Sequence, residues 1–141
     1  MKVIKASTNQ EILDAFSVRD RVFIEEQGVD PKIEHDQYDE SAIHIVSYLN
    51  EQPIGAARIR LIDEQGKIQR VAILKPFRNQ GYGKKLMIAL EEIIAQHEIQ
   101  SIQLNAQTHA IPFYESIGFE INSRPFYEAG IEHVSMNKKL N

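Results

Sequence analysis

Arg78-Asn79-Gln80-Gly81-Tyr82-Gly83-Lys84-Lys85 gathers two glycines and three cations at one point of a 141-residue chain. An apolar segment, Val71-Ala72-Ile73-Leu74, runs into it through Lys75-Pro76-Phe77, and an amphipathic stretch over 86–94 follows. That pattern predicts a strand, a tight loop and a helix that begins at the glycines. A helix N-terminus offers unpaired N–H groups and the positive end of the dipole, so it suits an anion. Glycine lets the backbone approach a phosphate with no Cβ in the way. Arg78, Lys84 and Lys85 add charge of the right sign. The expected chemistry is a grip on pyrophosphate.

Spacing excludes two common phosphate loops. A P-loop needs Gly-x-x-x-x-Gly-Lys and then Ser or Thr. Arg78 stands at its first glycine and Lys85 at its hydroxyl position, so no Mg²⁺ ligand is offered. The dinucleotide fingerprint fails because Leu86 occupies its third glycine. What remains is Arg-x-x-Gly-x-Gly opening a helix. Taken alone, these six residues read equally as a strand–turn–helix junction that uses glycine for geometry.

The elements that must position this loop follow from periodicity. A first strand is expected over 2–6. Ser7-Thr8-Asn9 then caps a helix with Ile12, Leu13, Phe16 and Phe23 on its apolar side, fading near Gln27-Gly28 ahead of Pro31. Residues 28–42 are polar and acidic and read as a loop. Strands over 43–49, 54–62 and 67–74, joined by turns at 50–53 and 63–66, form a meander. After the glycine-loop helix, 81–96, come a strand over 101–105, a short helix over 109–117 stopped by Gly118, and strands over 119–122 and 131–138, the last closing the sheet. The order β-α-β-β-β-α-β-α-β-β is a mixed α/β layer rather than a regular doubly wound one.

Length and composition suit one soluble domain, 1–141, with a single core. A net charge of −4 argues against a nucleic-acid binder with a broad basic surface. There is no cysteine, which removes disulfides, thiolate catalysis and Cys-based zinc sites. No metal ligand set stands out. The first residues are too short and charged for a signal peptide, and no apolar run reaches membrane length, so a cytoplasmic location is expected.

A second motif joins the first. Phe113-Tyr114, three residues, then Gly118-Phe119 can be read as packing, with Phe113 and Ile117 on one helix face and Gly118 after its end. Together with Arg78-x-x-Gly81-x-Gly83 and the strand between them, however, the chain resembles the GNAT superfamily of acyl-CoA N-acyltransferases over nearly its whole length. Arg19-Asp20-Arg21-Val22-Phe23-Ile24-Glu25-Glu26-Gln27, with Asp36, Asp39 and His44, resembles the small bacterial ElaA-type branch.

The resemblance implies a mostly antiparallel sheet splayed between strands four and five, flanked by helices, with the pantetheine arm of acetyl-CoA in the cleft. By motif position Val71, Ala72 and Ile73 would bond the arm, and Arg78, Asn79, Gln80, Gly81, Tyr82, Gly83 and Lys84 would hold the pyrophosphate. Phe113 would pack at the cofactor, and Asn105 either bonds the arm or shapes a turn. The implied reaction is direct acetyl transfer to a primary amine of a small molecule or peptide. A strand-four amide near Ile73 would serve the oxyanion, and Tyr114 would act as general acid. A phenol of pKa about 10 can donate to a thiolate whose acid is near about 8.5.

Many GNAT proteins carry a glutamate base on strand four, but this chain reads Lys67-Ile68-Gln69-Arg70-Val71 there. Glu25, Glu26, Glu34, His35, Asp36, His44 and His109 are the alternatives, each also readable as a solvated charge or structural histidine, and water could relay the proton. The base stays unassigned. That departure keeps a second reading open, a catalytically silent acyl-CoA-binding or regulatory module. The acidic segment 34–40 would suit a cationic acceptor such as a polyamine, amino sugar or lysine-like amine. A homodimer is also implied, since GNAT proteins often pair.

Overall fold

The computed structural model describes residues 1–140. Eight strands form one sheet: β1 (Lys2–Lys5), β2 (Ile43–Leu49), β3 (Gln52–Ile62), β4 (Gln65–Ile73), β5 (Ser101–Gln107), β6 (Glu120–Ile121), β7 (Phe126–Glu128) and β8 (Ile131–Lys139). Their spatial order is β1-β2-β3-β4-β5-β8-β6, with β7 also on β8. Every pairing is antiparallel except β4–β5. The last strand therefore does not close the sheet at an edge. It inserts between β5 and β6, a placement that no local pattern encodes.

Two-residue turns set the hairpin registers. Asn50-Glu51 and Asp63-Glu64 both hold positive φ at both positions, as the tightest hairpin turns require. Ala129-Gly130 does the same between β7 and β8. β7 is an addition to the sequence expectation: with three residues and an alanine in its turn, it has almost no signal.

Helix α1 (Asn9–Arg19) starts with a capping box in which Thr8 Oγ1 accepts from Glu11 N and Glu11 Oε1 accepts from Thr8 N, each at 3.1 Å. The chain then widens into a π-helix, Asp20–Glu26, a form concentrated at functional sites. Leu13, expected inside, is 59% exposed. Residues 28–42 are not a plain loop, since α2 (Pro31–Glu34) and a 3₁₀ turn (Gln37–Glu40) lie there. Asp30, whose Oδ1 accepts from Lys32 N at 2.8 Å, and Pro31 at the first helical position were the local signals for α2.

Helix α3 (Tyr82–Ala95) presses Leu86, Met87, Leu90 and Ile94 on one sheet face, against Ile45, Ile59, Ile68, Ile102 and Leu104. Each such buried side chain contributes about 1.5–3 kcal/mol. On the opposite face α1 and the π-helix bury Ala15, Val18 and Val22 against Val46, Ala56, Ala72 and Leu74. Helix α4 (Ile111–Ser116) completes the α3 side with Tyr114. Both faces are thus covered, and the sheet between them carries the site.

Candidate active site

Strands β4 and β5 pair only from Gly66↔Ile102 to Ile68↔Leu104, though both continue further. The separation has a local cause. Across β3, Ala56 faces Ala72 and Arg58 faces Gln69, so Ala57 alone opposes both Arg70 and Val71. This is a β-bulge, which bends a strand and raises its twist. Arg70 holds its left-handed position at φ 58°, where glycine is the usual occupant. Its side chain repays the strain, with Nη2 donating to the carbonyls of Ile33 at 3.2 Å and Glu34 at 3.1 Å.

Beyond the bulge opens a cleft of about 800 Å³. Val71, Ala72, Ile73, Arg78, Asn105 and Tyr114 all line it. Phe113, on α4, sits outside this lining, as do Asn79, Gln80, Gly81, Tyr82, Gly83 and Lys84 at the start of α3. There Gly81 caps the helix at φ 86° with no side-chain bond, which leaves the first-turn N–H groups unclaimed by a cap. A Cβ on Gly83 would meet the Phe113 ring at 3.4 Å, so this glycine also lets α4 approach α3.

Arg78 is placed differently from a simple phosphate grip. Its Nε donates to the Ile73 carbonyl at 2.8 Å, and its two terminal nitrogens reach Glu26 at 2.6 and 2.7 Å. It clamps the end of β4 to the π-helix, leaving Lys84 and Lys85 as the exposed cations at the helix start. The Arg78 guanidinium holds the Glu26 carboxyl below its ordinary range, against a smaller opposing effect of burial.

Tyr114 is buried, with Phe113 and Phe119 edge-on to its ring at 5.0 and 5.8 Å. Gly118, at φ 99°, ends α4, and Phe119 N donates to the Tyr114 carbonyl at 3.0 Å. Burial pushes the phenol upward, so it stays protonated at neutral pH. Among the described residues its hydroxyl has no hydrogen-bond partner. Asn105 lies within β5, not at a turn, and its Oδ1 accepts from Gln103 Nε2 at 2.7 Å.

Most of the negative charge of segment 34–40 is engaged inside the fold. Glu34, Asp36 and Asp39 are spent on three arginines. Arg19, fully buried, reaches both Glu34 oxygens at 3.1 Å and Asp39 at 2.9 Å. Arg58, also buried, donates to Asp36 at 2.6 Å and Asp39 at 2.9 Å. Arg70 Nε stands 2.9 Å from Glu34. Three of the segment's four carboxylates are thus paired with arginine, Glu40 is exposed, and a paired, buried Glu34 is neither solvated nor a free base.

His44 Nε2 donates to the Asp39 carbonyl at 2.8 Å, away from the cleft lining, and is structural. His35 lies 2.7 Å from Asp20. His109 lines the cleft and bonds Gln107 at 2.7 Å, while Gln107 Nε2 donates to Gln27 at 2.9 Å across the opening. His133 also lines the cleft and escaped the sequence reading. It alternates with buried Val134 on β8, so it faces the other side of the sheet from the core. That alternation was its only available signal.

A buried phenol, a splayed parallel pair and an uncapped helix start thus meet around one cleft. Residues 3–140 match the acetyltransferase (GNAT) domain family, so the chain belongs to the GNAT acetyltransferases. It is 41% identical over 139 residues to YjcF of Bacillus subtilis, described as an uncharacterized N-acetyltransferase, covering 98% of this chain and 99% of that one. A putative N-acetyltransferase from Lactobacillus plantarum has the same fold at TM-score 0.93, with 29% identity and 99% and 98% of the two chains covered. Escherichia coli ElaA superposes at TM-score 0.84 with 26% identity and 97% of each chain covered.

Proposed function

We propose that this acetyltransferase moves the acetyl group of acetyl-CoA to a primary amine by direct attack in a ternary complex. The carrying observation is that β4 loses its β5 partner after Ile68 beside the Tyr114 side chain. An extended pantetheine arm fits that gap as an added strand against Val71, Ala72 and Ile73. The pyrophosphate is received by the N–H groups over 80–84, with Lys84 and Lys85 supplying charge. Arg78 acts by fixing Ile73.

Attack by the amine lone pair places negative charge on the thioester oxygen, which the backbone amide near Ile73 stabilises. As the C–S bond breaks, the thiolate takes the Tyr114 proton, and the phenolate recovers one from the new amide nitrogen. The test is calorimetric titration with acetyl-CoA, followed by free-CoA release against a panel of alkyl amines and peptides. Binding plus amine-dependent release is expected. A chain that binds no acetyl-CoA would overturn the donor assignment.

A further inference from the structure

Three of the four carboxylates that line the cleft are tied to arginine: Glu26 to Arg78, and Glu34 and Asp36 to Arg19, Arg58 and Arg70. Glu128 has no arginine partner among the described residues. Its Oε2 lies 3.8 Å from His133 Nε2 and accepts from Asn105 Nδ2 at 3.5 Å.

The histidine ring is held through Nδ1 and by stacking. Its Nδ1 lies 2.7 Å from the Ile131 carbonyl. A carbonyl oxygen only accepts, so Nδ1 carries the proton of the neutral ring. The Nε2 lone pair is therefore the basic one, on the side of Glu128. Phe126 stacks on the ring at 6.0 Å and 19°, and β5 holds Gln107 opposite it in the sheet. A neutral imidazole with an outward lone pair, a carboxylate beside it and a place in the cleft wall meets the geometric needs of a base. His109 and Tyr114 are the other titratable groups on this wall. His109 is engaged by Gln107, and Tyr114 already has a proton to give.

We propose that His133 is the general base for the acceptor amine and that Glu128 is its positioning partner; the proposal rests on the acetyl-CoA reading of the same cleft. Nε2 takes one proton from the acceptor ammonium. The freed lone pair forms the C–N bond, the C–S bond breaks, and the Tyr114 exchange described above closes the remaining balance. The imidazolium, stabilised by Glu128, then loses its proton to water. No oxidant or metal enters.

Long-range ¹H–¹⁵N correlation spectra of the unaltered chain read the ring without any acceptor. The expected result is that the neutral ring carries its proton on Nδ1. A neutral ring protonated at Nε2 overturns the proposal. For kinetics, benzylamine is an ammonium at neutral pH and 4-methoxyaniline is not. His133→Asn, which can still donate to Ile131, is expected to lose about 100-fold or more in kcat with benzylamine and to keep acetyl-CoA affinity and 4-methoxyaniline turnover. Glu128→Gln, at a half-exposed position, is expected to lower kcat with benzylamine and to keep acetyl-CoA affinity and 4-methoxyaniline turnover. An unaltered chain that binds no acetyl-CoA overturns both readings. One that transfers acetyl, with kcat for benzylamine unaltered in both variants, overturns this one alone.

Discussion

Tyr114 shows how a single side chain combines packing with chemistry. The ring belongs to the α3-side core, and the same burial keeps its proton in place. Tyr114→Phe preserves the packing and removes the proton. It should lower kcat by about 100-fold or more while acetyl-CoA affinity, measured by calorimetry, stays within a factor of a few. The same shift carries a stability consequence. The phenol is raised above its unfolded value of about 10, so its share of stability is complete below about pH 10 and is lost as pH rises toward its native value. Chemical denaturation between pH 9 and 12 should therefore show a shallower alkaline loss for Tyr114→Phe, by up to about 1.4 kcal/mol per pH unit. Tyr48 keeps its own contribution, since burial and its bond to Asp14 push it up to about 12. At this scale the motif residues were legible, because Phe-Tyr-x-x-x-Gly-Phe is contiguous. The partners were not: Arg78 meets Glu26 across 52 positions and Arg19 meets Glu34 across 15.

The elements show where local pattern suffices and where it fails. Hydrophobic alternation and turn residues placed β2, β3, β4 and α3 within about two residues of their observed ends. The bulge at Arg70 had no such signal, because an arginine at a position suited to glycine is tolerated only when tertiary bonds hold it. Glycine at 66 has a meaning visible only in the packing. A Cβ there would stand 2.7 Å from Ile94 Cγ2, so α3 rests directly on the β4 backbone. Gly66→Ala should destabilise the chain by about 1–3 kcal/mol in urea denaturation through overpacking. Arg78→Ala should leave the helix intact, yet weaken acetyl-CoA binding about tenfold or more by freeing the end of β4. Unchanged affinity in that variant would show that the Ile73 clamp is dispensable.

Across the whole molecule, the arginine–carboxylate network ties α1, the segment 31–40 and the bulged strand into one wall of the cleft. Removing Arg58 leaves three carboxylates to two arginines, so Arg58→Met should cost about 3–5 kcal/mol by chemical denaturation at pH 7. Burial opposes ionisation of Asp36 and Asp39, but Arg58 acting on the first and Arg19 and Arg58 on the second prevail and hold both carboxyls below the ordinary range. Groups depressed in this way stabilise the fold above their unfolded value of about 3.9, and that contribution fades as pH falls through their lower native values. Asp39→Asn should flatten the stability loss measured below about pH 4. Among the described residues no helix is long and apolar enough to cross a membrane.

What the sequence by itself determined was the set of local structures, including the glycine loop and the helix it opens. Glycine conformation, capping and hydrophobic period act within a few residues, so the loop at 78–85, the helix after it and the Tyr114 motif could be read directly. Only the tertiary structure decided which charges are free. It paired Glu34, Asp36 and Asp39 with arginines drawn from α1, β3 and β4, joined Arg78 to Ile73 and Glu26, and brought His133 and Glu128 together across a hairpin with almost no sequence signal. Burial and pairing are properties of neighbours in space, and β8 reaches its place between β5 and β6 only when the sheet assembles.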